Sequence, residues 1–258
     1  MVRGLYTAYT GMESEQKRLD IIANNVANAS TVGYKEESVT NQAFEEMLTL
    51  KIRDGSEGYM TKPIGQMSLG VKLGEVYTDY GQGSLRQTGN TYDLAIEGKG
   101  FFQVRATDSG GNDTTRYTRN GSFKMTREGY IVDVDGNHLQ GESGDVLVPT
   151  EAASIAISQD GGVYADGTRV NTIKLTDFEN YDYLKKIGDT SYKLVDGGAI
   201  KDAEGGIVQG FTEQSNVNPV NEMVEMISIT RAYEANQKVI STVDTMLDKS
   251  VNSIGRVG

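Results

Sequence analysis

The two ends of the chain carry long amphipathic patterns, and neither end can bury its own apolar face. In residues 3–29 the apolar positions are Leu5, Tyr9, Met12, Leu19, Ile22, Ala23 and Val26. In residues 220–254 they recur every seven residues, at Met226, Tyr233, Ile240, Leu247 and Ile254. Both patterns predict long helices. Because a lone amphipathic helix leaves its apolar face in water, the two ends must find each other or further copies of the chain.

The spacing of the apolar residues within each predicted helix limits the ways in which that helix can pack. Leu5, Met12, Leu19 and Val26 lie seven residues apart, as in a coiled-coil seam, and a helix that packs on an ordinary core is the alternative. The second helix has a clear start, because Asn218 is a good N-cap and Pro219 suits the first helical position. Gly255 is a plausible stop. We expect the charges from Glu222 to Lys249 to form the outer face of this helix.

The middle of the chain has the short runs and turn signals of β-strands. The predicted strands are Val71–Tyr80, Tyr92–Glu97, Phe101–Arg105, Arg116–Thr118, Ser122–Met125, Tyr130–Val134, His138–Gln140, Ser154–Ile157, Gly162–Tyr164, Thr172–Phe178, Ser191–Val195 and Ile207–Phe211. Asn120-Gly121 and Asp135-Gly136-Asn137 predict hairpins. No alternation of strands and helices indicates a parallel sheet, so an antiparallel or mixed β domain is expected.

These elements together predict an α+β fold, with the long terminal helices paired as a coiled coil around a central, mostly antiparallel β domain. The predicted parts are a terminal-helix domain of residues 1–30 and 216–258, a connecting segment of residues 31–70, and a central β domain of residues 71–215. Within the connecting segment, Phe44, Met47, Leu48 and Ile52 favour a short helix over about 40–53. Residues 54–65 then read as an extended linker.

Composition excludes several classes of function. The chain has no cysteine and one histidine, which excludes disulfides and thiol catalysis and leaves few ligands for zinc or an iron–sulfur cluster. The net charge of -11 disfavours nucleic acid and anionic membrane surfaces as partners. The N-terminus is too polar for a secretory signal, and no apolar run approaches the ~20 residues of a membrane span.

The sequence offers little chemistry for catalysis or for a cofactor. His138 lies beside a turn with no partner pattern for a nucleophile, and Gly98-Lys99-Gly100 is too short for a phosphate loop. Asp133–Asn137 resembles a calcium loop only in part, because its glycine is at position four instead of six and Gly144 stands at position twelve, where such a loop needs glutamate. A hairpin turn is the simpler interpretation. We therefore predict no enzyme, no catalytic residue, no cofactor and no metal.

One dense polar group lies near the end of the first helix. Asn24, Asn25 and Asn28 fall within five residues, and asparagine is unfavourable inside helices. Fraying of the helix end is one explanation. The other is that buried amides pair across helices and set their register, as a single buried asparagine does in coiled coils.

Several motifs, in order along nearly the whole chain, resemble those of bacterial flagellar rod and hook proteins. The matching segments are Leu19–Asn28 (LDIIANNVAN), Thr31–Lys35 (TVGYK), Asp93–Ile96 (DLAI), Gly100–Phe102 (GFF), Tyr117–Phe123 (YTRNGSF), Ser215–Asn218 (SNVN), Glu222-Met223 and Arg231–Asn236 (RAYEAN). Length and the 36–80 segment most resemble the distal rod type. A proximal rod protein of similar length is the alternative, and residues 50–66 match the distal pattern only loosely.

The resemblance implies a structural subunit that polymerises into a hollow rod, the shaft that passes motor torque to the hook. It implies an inner tube of paired terminal helices, a basal-body location, and export by the flagellar type III apparatus. Implied partners are further copies, proximal rod proteins, hook or hook-junction proteins and envelope rings, without nucleic acid or membrane insertion. The expected assembly interface comprises Leu5, Met12, Leu19, Asn24, Asn25, Val26, Asn28, Met226, Tyr233, Ile240 and Leu247. A non-flagellar surface binding module and an acid/base hydrolase are the competing classes.

Overall fold

A computed structural model describes residues 2–51, 62–107 and 111–254, and in these it has long helices at both ends and short strands between them. Helix α1 spans Val2–Ala27 and α2 spans Pro219–Lys249, followed by a π-helical turn at Ser250–Ile254. All strand pairs of the described residues are antiparallel. The predicted α+β class is confirmed. None of the described helices is long and apolar enough to cross a bilayer.

The chain divides into two compact units. Unit 1 contains Met1–Ala27, Glu37–Asp79 and Asn218–Gly258, and unit 2 contains Asn28–Glu36 and Tyr80–Val217. The predicted boundaries differ from these units. Val71–Thr78, predicted in the β domain, pair with Glu37–Ala43 of unit 1. Residues 28–36 and 216–217, predicted in the terminal-helix domain or the connecting segment, belong to unit 2, where Tyr34 and Lys35 are fully buried.

Unit 1 combines the two helices with four strands. The strands are β1 (Glu37–Ala43), β2 (Met47–Lys51), β3 (Lys62–Met67) and β4 (Val71–Thr78). β1 pairs with β4 and β2 with β3, so the segment between the helices folds back on itself. α1 and α2 pack antiparallel, since Arg18 binds Glu225 at 2.7 Å while Gly11 lies beside Asn236 further along. The start of α2 is as predicted, because the Asn218 side chain accepts from Val220 N and Asn221 N.

Unit 2 is built from short strands. They are β5 (Leu85–Gln87), β6 (Leu94–Glu97), β7 (Phe101–Thr107), β8 (Asp113–Thr118), β9 (Lys124–Met125), β10 (Ile131–Val132), β11 (His138–Gly141), β12 (Gly144–Asp145), β13 (Ile155–Ile157), β14 (Gly162–Ala165), β15 (Thr168–Thr172), β16 (Leu175–Phe178), β17 (Leu184–Ile187), β18 (Ser191–Leu194), β19 (Ile200–Asp202), β20 (Gly206–Gln209) and β21 (Phe211–Glu213). A 3-10 turn at Tyr181–Tyr183 precedes β17.

The main sheet of unit 2 runs in the order β17-β18-β8-β7-β11-β10-β9, with β12, β16 and β19 attached to it. A three-stranded sheet β13-β14-β15 and the pairs β20-β6 and β21-β5 complete the unit. The turn between β14 and β15 places both Asp166 (φ 51) and Gly167 (φ 80) in the left-handed region, as a tight hairpin turn requires.

Two apolar cores fill unit 2. The larger is aliphatic and includes Leu94, Ile96, Val104 and Leu139, all at most 1% exposed. The second is aromatic, and in it Phe101 makes an edge contact with buried Tyr192 at 5.7 Å between ring centroids. Burial and the hydrogen bond to Asp177 raise the pKa of Tyr181, at the margin of this core, to about 12.

Two local predictions are wrong. The short helix over 40–53 is absent from the described residues, which form β1 and β2 up to Lys51, because pairing with β4 and β3 outweighs a weak helical pattern. Asn120-Gly121 makes no hairpin, since neither residue has a positive φ and β8 pairs with β7 and β18 instead. Gly121 is needed for close packing, because a Cβ there would lie 1.5 Å from the Leu94 carbonyl oxygen. Residues 54–61 of the predicted linker and the stop at Gly255 lie outside the described residues, whereas residues 62–65 of that linker belong to β3, which pairs with β2.

Candidate assembly surface

One face of α2 is turned inward within unit 1. Its members are buried or half-buried and recur at alternating spacings of four and three residues: Glu222, Met226, Ile229, Tyr233, Asn236, Ile240 and Val243. On α1 a similar spacing relates half-buried Leu5, Met12, Leu19 and Val26 to buried Ala8 and Ile22. Leu5 and Ile240 line one small cavity with Tyr6 and Tyr9. From Leu5 to Val26 and from Met226 to Ile240, the two predicted seams therefore lie on the faces where the helices pack within one chain.

The predicted interface residues fall into three groups. Leu5, Met12, Leu19, Val26, Met226, Tyr233 and Ile240 are half-buried, as is Asn28, which belongs to unit 2 and accepts a hydrogen bond from the Thr31 hydroxyl. Asn24 and Leu247 are exposed. Asn25 is buried, at 1% exposure. The three asparagines therefore lie in different environments, because Asn24 is exposed on α1, Asn25 is buried in unit 1 and Asn28 lies beyond the end of α1 in unit 2.

The Asn25 amide joins α1 to two other elements of unit 1. Its Nδ2 donates to the Glu37 carbonyl oxygen at 2.8 Å and to Glu222 Oε2 at 3.1 Å, and its Oδ1 accepts from Glu37 N at 3.1 Å. The amide therefore fixes α1 against the first residue of β1 and against the first turn of α2. Glu222, which we predicted on the outer charged face, is buried at 6% exposure because it accepts this bond.

The opposite side of α2 carries a second apolar stripe. Its members at the N-terminal end are Val220, Met223, Val224 and Ile227, which are 68%, 51%, 63% and 56% exposed. At 100° per residue these positions lie about opposite the inward face. Their spacing of three, four and seven residues is visible in the sequence, but the seven-residue seam through Met226 obscured it. We call these four residues the outer stripe.

Further apolar surface lies where α1 meets the strands of unit 1. Tyr6 and Tyr9 are more than half exposed, as are Met47 and Leu48 on β2. A cavity of about 860 Å³ is lined by Tyr6, Thr10 and residues of β1, β2 and β4, together with Phe44 and Leu69. Exposed apolar area of this kind marks surfaces that bind other proteins.

Unit 2 holds a buried ionic cluster formed by Lys35, Arg119 and Glu213, which we call the Glu213 cluster. Lys35 and Glu213 are fully buried, and Arg119 is 4% exposed. Lys35 Nζ lies 2.5 Å from Glu213 Oε1, and Arg119 Nη1 donates to Glu213 Oε2 at 3.2 Å. The sequence does not identify these three residues as a cluster, because nothing local distinguishes a buried charge from a surface one.

The residues weighed above for calcium binding and catalysis, Asp133 and His138, make contacts at a turn and at the start of a strand. Asp133 Oδ1 accepts from Asp135 N and Asn137 N, and its Oδ2 accepts from Asn137 Nδ2, so this carboxylate shapes the turn between β10 and β11. The predicted hairpin at this turn is confirmed. His138 begins β11, where its ring lies 4.9 Å from that of Tyr130 and its Nδ1 3.1 Å from Asp145. Within the described ranges, no group of three or more histidine or acidic residues is arranged to hold a metal ion.

Three family models match the chain in order. Residues 5–35 match "Flagella basal body rod protein", residues 95–165 match "Flagellar hook protein FlgE/F/G D1 domain", and residues 208–254 match "Flagellar basal body rod FlgEFG protein C-terminal". The helices, the β unit and the connecting motifs thus define a protein of the flagellar axial class.

Similarity to individual proteins extends over nearly the full length. The chain is 36% identical to the flagellar basal-body rod protein FlgG of Bacillus subtilis, covering 98% of this chain and 99% of that protein. It is 36% identical to FlgG of Caulobacter vibrioides (95% and 97% covered) and 33% identical to the basal-body rod protein FlgF of the same organism (100% of both). The chain belongs to the flagellar basal-body rod protein family.

Proposed function

We propose that this chain is a structural subunit of the distal flagellar rod, which polymerises into a hollow shaft that carries motor torque to the hook. The observation that carries this proposal is that α2 has two apolar faces. The inward face packs within unit 1, whereas the outer stripe is 51–68% exposed. A monomer gains nothing from such a stripe, since each large apolar side chain buried in a neighbour contributes ~1.5–3 kcal/mol. Repeated head-to-tail contacts build a filament instead of a closed ring.

The distal assignment is favoured over the proximal one by the relatives. Two FlgG proteins are 36% identical to the chain, and the FlgF protein is 33% identical. We expect the gene to restore at least part of the motility of a Bacillus subtilis strain that lacks its FlgG rod protein. It should not restore a Caulobacter vibrioides strain that lacks FlgF. Swimming-halo diameter on soft agar measures both, and rescue of the FlgF strain alone would assign the chain to the proximal rod.

We further propose that α1 and α2 pair as a coiled coil that lines the central channel. The four-three spacing of the inward face of α2 and the antiparallel contacts of the helices support this pairing. In this arrangement the half-buried seam residues set the distance between the two helix axes. They run from Leu5 to Val26 on α1 and from Met226 to Ile240 on α2. The partners would be further copies, proximal rod proteins, hook or hook-junction proteins, the type III export apparatus and envelope rings. The role needs no catalysis or cofactor.

Replacing Val224 with glutamate tests the outer stripe. We expect cells that carry this variant to export the subunit but to be non-motile and to lack hooks, because a carboxylate cannot be buried in an apolar contact without a partner. Motility assays and electron microscopy of basal bodies are the measurements. Val134→Glu is the matched control, since Val134 in unit 2 is 65% exposed against 63% for Val224. If Val224→Glu cells swim as well as the control, the outer stripe is not an assembly contact.

A further inference from the structure

The chain passes four times between unit 1 and unit 2, at residues 27/28, 36/37, 79/80 and 217/218. On the unit 2 side these passages belong to three segments, namely residues 28–36, 80–83 and 211–217. If the helices of unit 1 assemble into the rod, mechanical load can pass along the backbone between unit 1 and unit 2 only through these three segments. How firmly the segments are attached to the core of unit 2 therefore matters for the proposed function.

The Glu213 cluster holds all three segments. Lys35 belongs to the first segment and Glu213 to the third. The second is held from both sides, because Lys35 Nζ donates to the Gly81 carbonyl oxygen at 2.7 Å and Gly83 N donates to Glu213 Oε1 at 3.0 Å. Backbone bonds add to this, since Gly33 N donates to the Glu213 carbonyl oxygen at 2.8 Å.

Arg119 ties the cluster to the body of unit 2. It follows β8, donates through Nη1 to Glu213 Oε2, and through Nη2 to the Gly98 carbonyl oxygen at 2.9 Å. Its guanidinium carbon also lies 5.2 Å from the centroid of the Phe101 ring in the aromatic core. One buried carboxylate thus connects three segments of the chain to the centre of the β unit.

The buried charges of the Glu213 cluster distinguish this site from ordinary apolar packing. Glu213 is the shared partner of two buried cations, so its loss leaves both without the carboxylate that binds them. Apolar residues would often stabilise such a site as well or better, and the best-attested use of a buried polar group is to fix one specific arrangement. Lys35 and Glu213 are 178 residues apart, so the arrangement forms only when both ends of unit 2 are in place.

We propose that the Glu213 cluster is a lock that fixes the three connecting segments to the β unit and transmits load from them, with Glu213 as its positioning residue. This inference rests on the proposed function as a rod subunit. If the cluster is such a lock, loss of Glu213 should release the connecting segments while both cores of unit 2 remain folded. If Glu213 only adds stability to unit 2 as a whole, the segments and the cores should open together.

Chymotrypsin digestion of the full-length protein separates these outcomes. Tyr34 marks the first connecting segment, Phe102 marks the aliphatic core and Tyr192 the aromatic core, and all three are 0% exposed. In Glu213→Gln we expect cleavage after Tyr34 to be roughly tenfold faster than in the unaltered protein, with the two core sites still protected. Glu204→Gln is the control, because it removes a surface ion pair with Lys201. Equal acceleration at all three sites, or none at Tyr34, overturns the lock.

A milder variant covers the case in which Glu213→Gln does not fold. Lys35→Met removes one cation and keeps the Glu213–Arg119 pair. Cleavage after Tyr34 should again be selectively faster than in the unaltered protein, but by a smaller factor than in Glu213→Gln. Motility under load gives the second readout. Cells with either variant should swim at no more than about half the unaltered speed in viscous medium, while Glu204→Gln cells match the unaltered strain.

The gene-deletion strain separates the two proposals. If deletion leaves flagella and swimming intact, the proposed function fails. If deletion abolishes motility but the Glu213→Gln and Lys35→Met cells swim normally at high viscosity, only the lock fails.

Discussion

Replacing Gly33 with alanine is expected to destabilise unit 2 by about 3–5 kcal/mol, a loss that only a few mechanisms produce. Gly33 has φ +70, where an L side chain costs ~1–2 kcal/mol. An added Cβ would also lie 2.4 Å from Asn120 N and 2.5 Å from the Arg119 carbonyl carbon, both backbone atoms that cannot move aside. Urea unfolding of the purified protein, followed by tyrosine fluorescence, measures the change.

Gly89→Ala is the matched control for this prediction. Gly89 has nearly the same backbone angle, φ +75, but no atom lies within 4 Å of the added Cβ. Its cost should therefore be the backbone strain alone, about 1–2 kcal/mol. Equal losses in the two variants would show that the close approach to Asn120 is unimportant. Gly33 of the TVGYK motif is thus required for two reasons, the lack of space for a Cβ and the positive φ of its backbone.

Replacing Asn25 with alanine is expected to destabilise unit 1 by about 2–4 kcal/mol. The amide binds both backbone groups of Glu37 and the buried Glu222 carboxylate, and each buried polar group that loses its partner costs ~1–3 kcal/mol. Thermal unfolding followed by helical circular dichroism measures the loss. In cells we expect fewer assembled rods, because the faces that we propose to meet neighbouring copies would no longer be held in register.

Asn24→Ala is the comparison for Asn25→Ala. Asn24 is the adjacent residue on the same helix and is exposed, so its replacement should lower the free energy of unfolding by less than replacement of the buried Asn25 does. Similar losses in both variants would contradict a specific role for the Asn25 amide and favour a general effect of asparagine near the end of α1.

The secondary structure was largely predictable where a local rule applies. The cap at Asn218 with Pro219 marks the start of α2, and the Asp135-Gly136-Asn137 turn joins β10 to β11 as expected. The two failures share one cause. Asn120-Gly121 and the 40–53 segment carry local signals for a hairpin and a helix, but β8 before Asn120 pairs with β7 and β18, and β1 and β2 pair with β4 and β3.

The candidate site was predicted less well than the fold. The seven-residue seams lie on the inward faces, so they explain how the helices pack within the chain. The outer stripe is not predicted from the sequence, because the seven-residue seam through Met226 obscures its spacing. Glu222 is predicted on the charged outer face, but it is buried against Asn25.

The helices at both ends, the antiparallel β region between them and the family can all be recognised in the sequence, because periodicity, caps and motifs are local properties of the chain. Which charges are buried depends on the tertiary contacts. Whether Glu213 or Glu222 lies in water or in the interior depends on partners such as Lys35 and Asn25, which are 178 and 197 residues away. Burial of a charge is favourable only when folding brings such partners within hydrogen-bond distance.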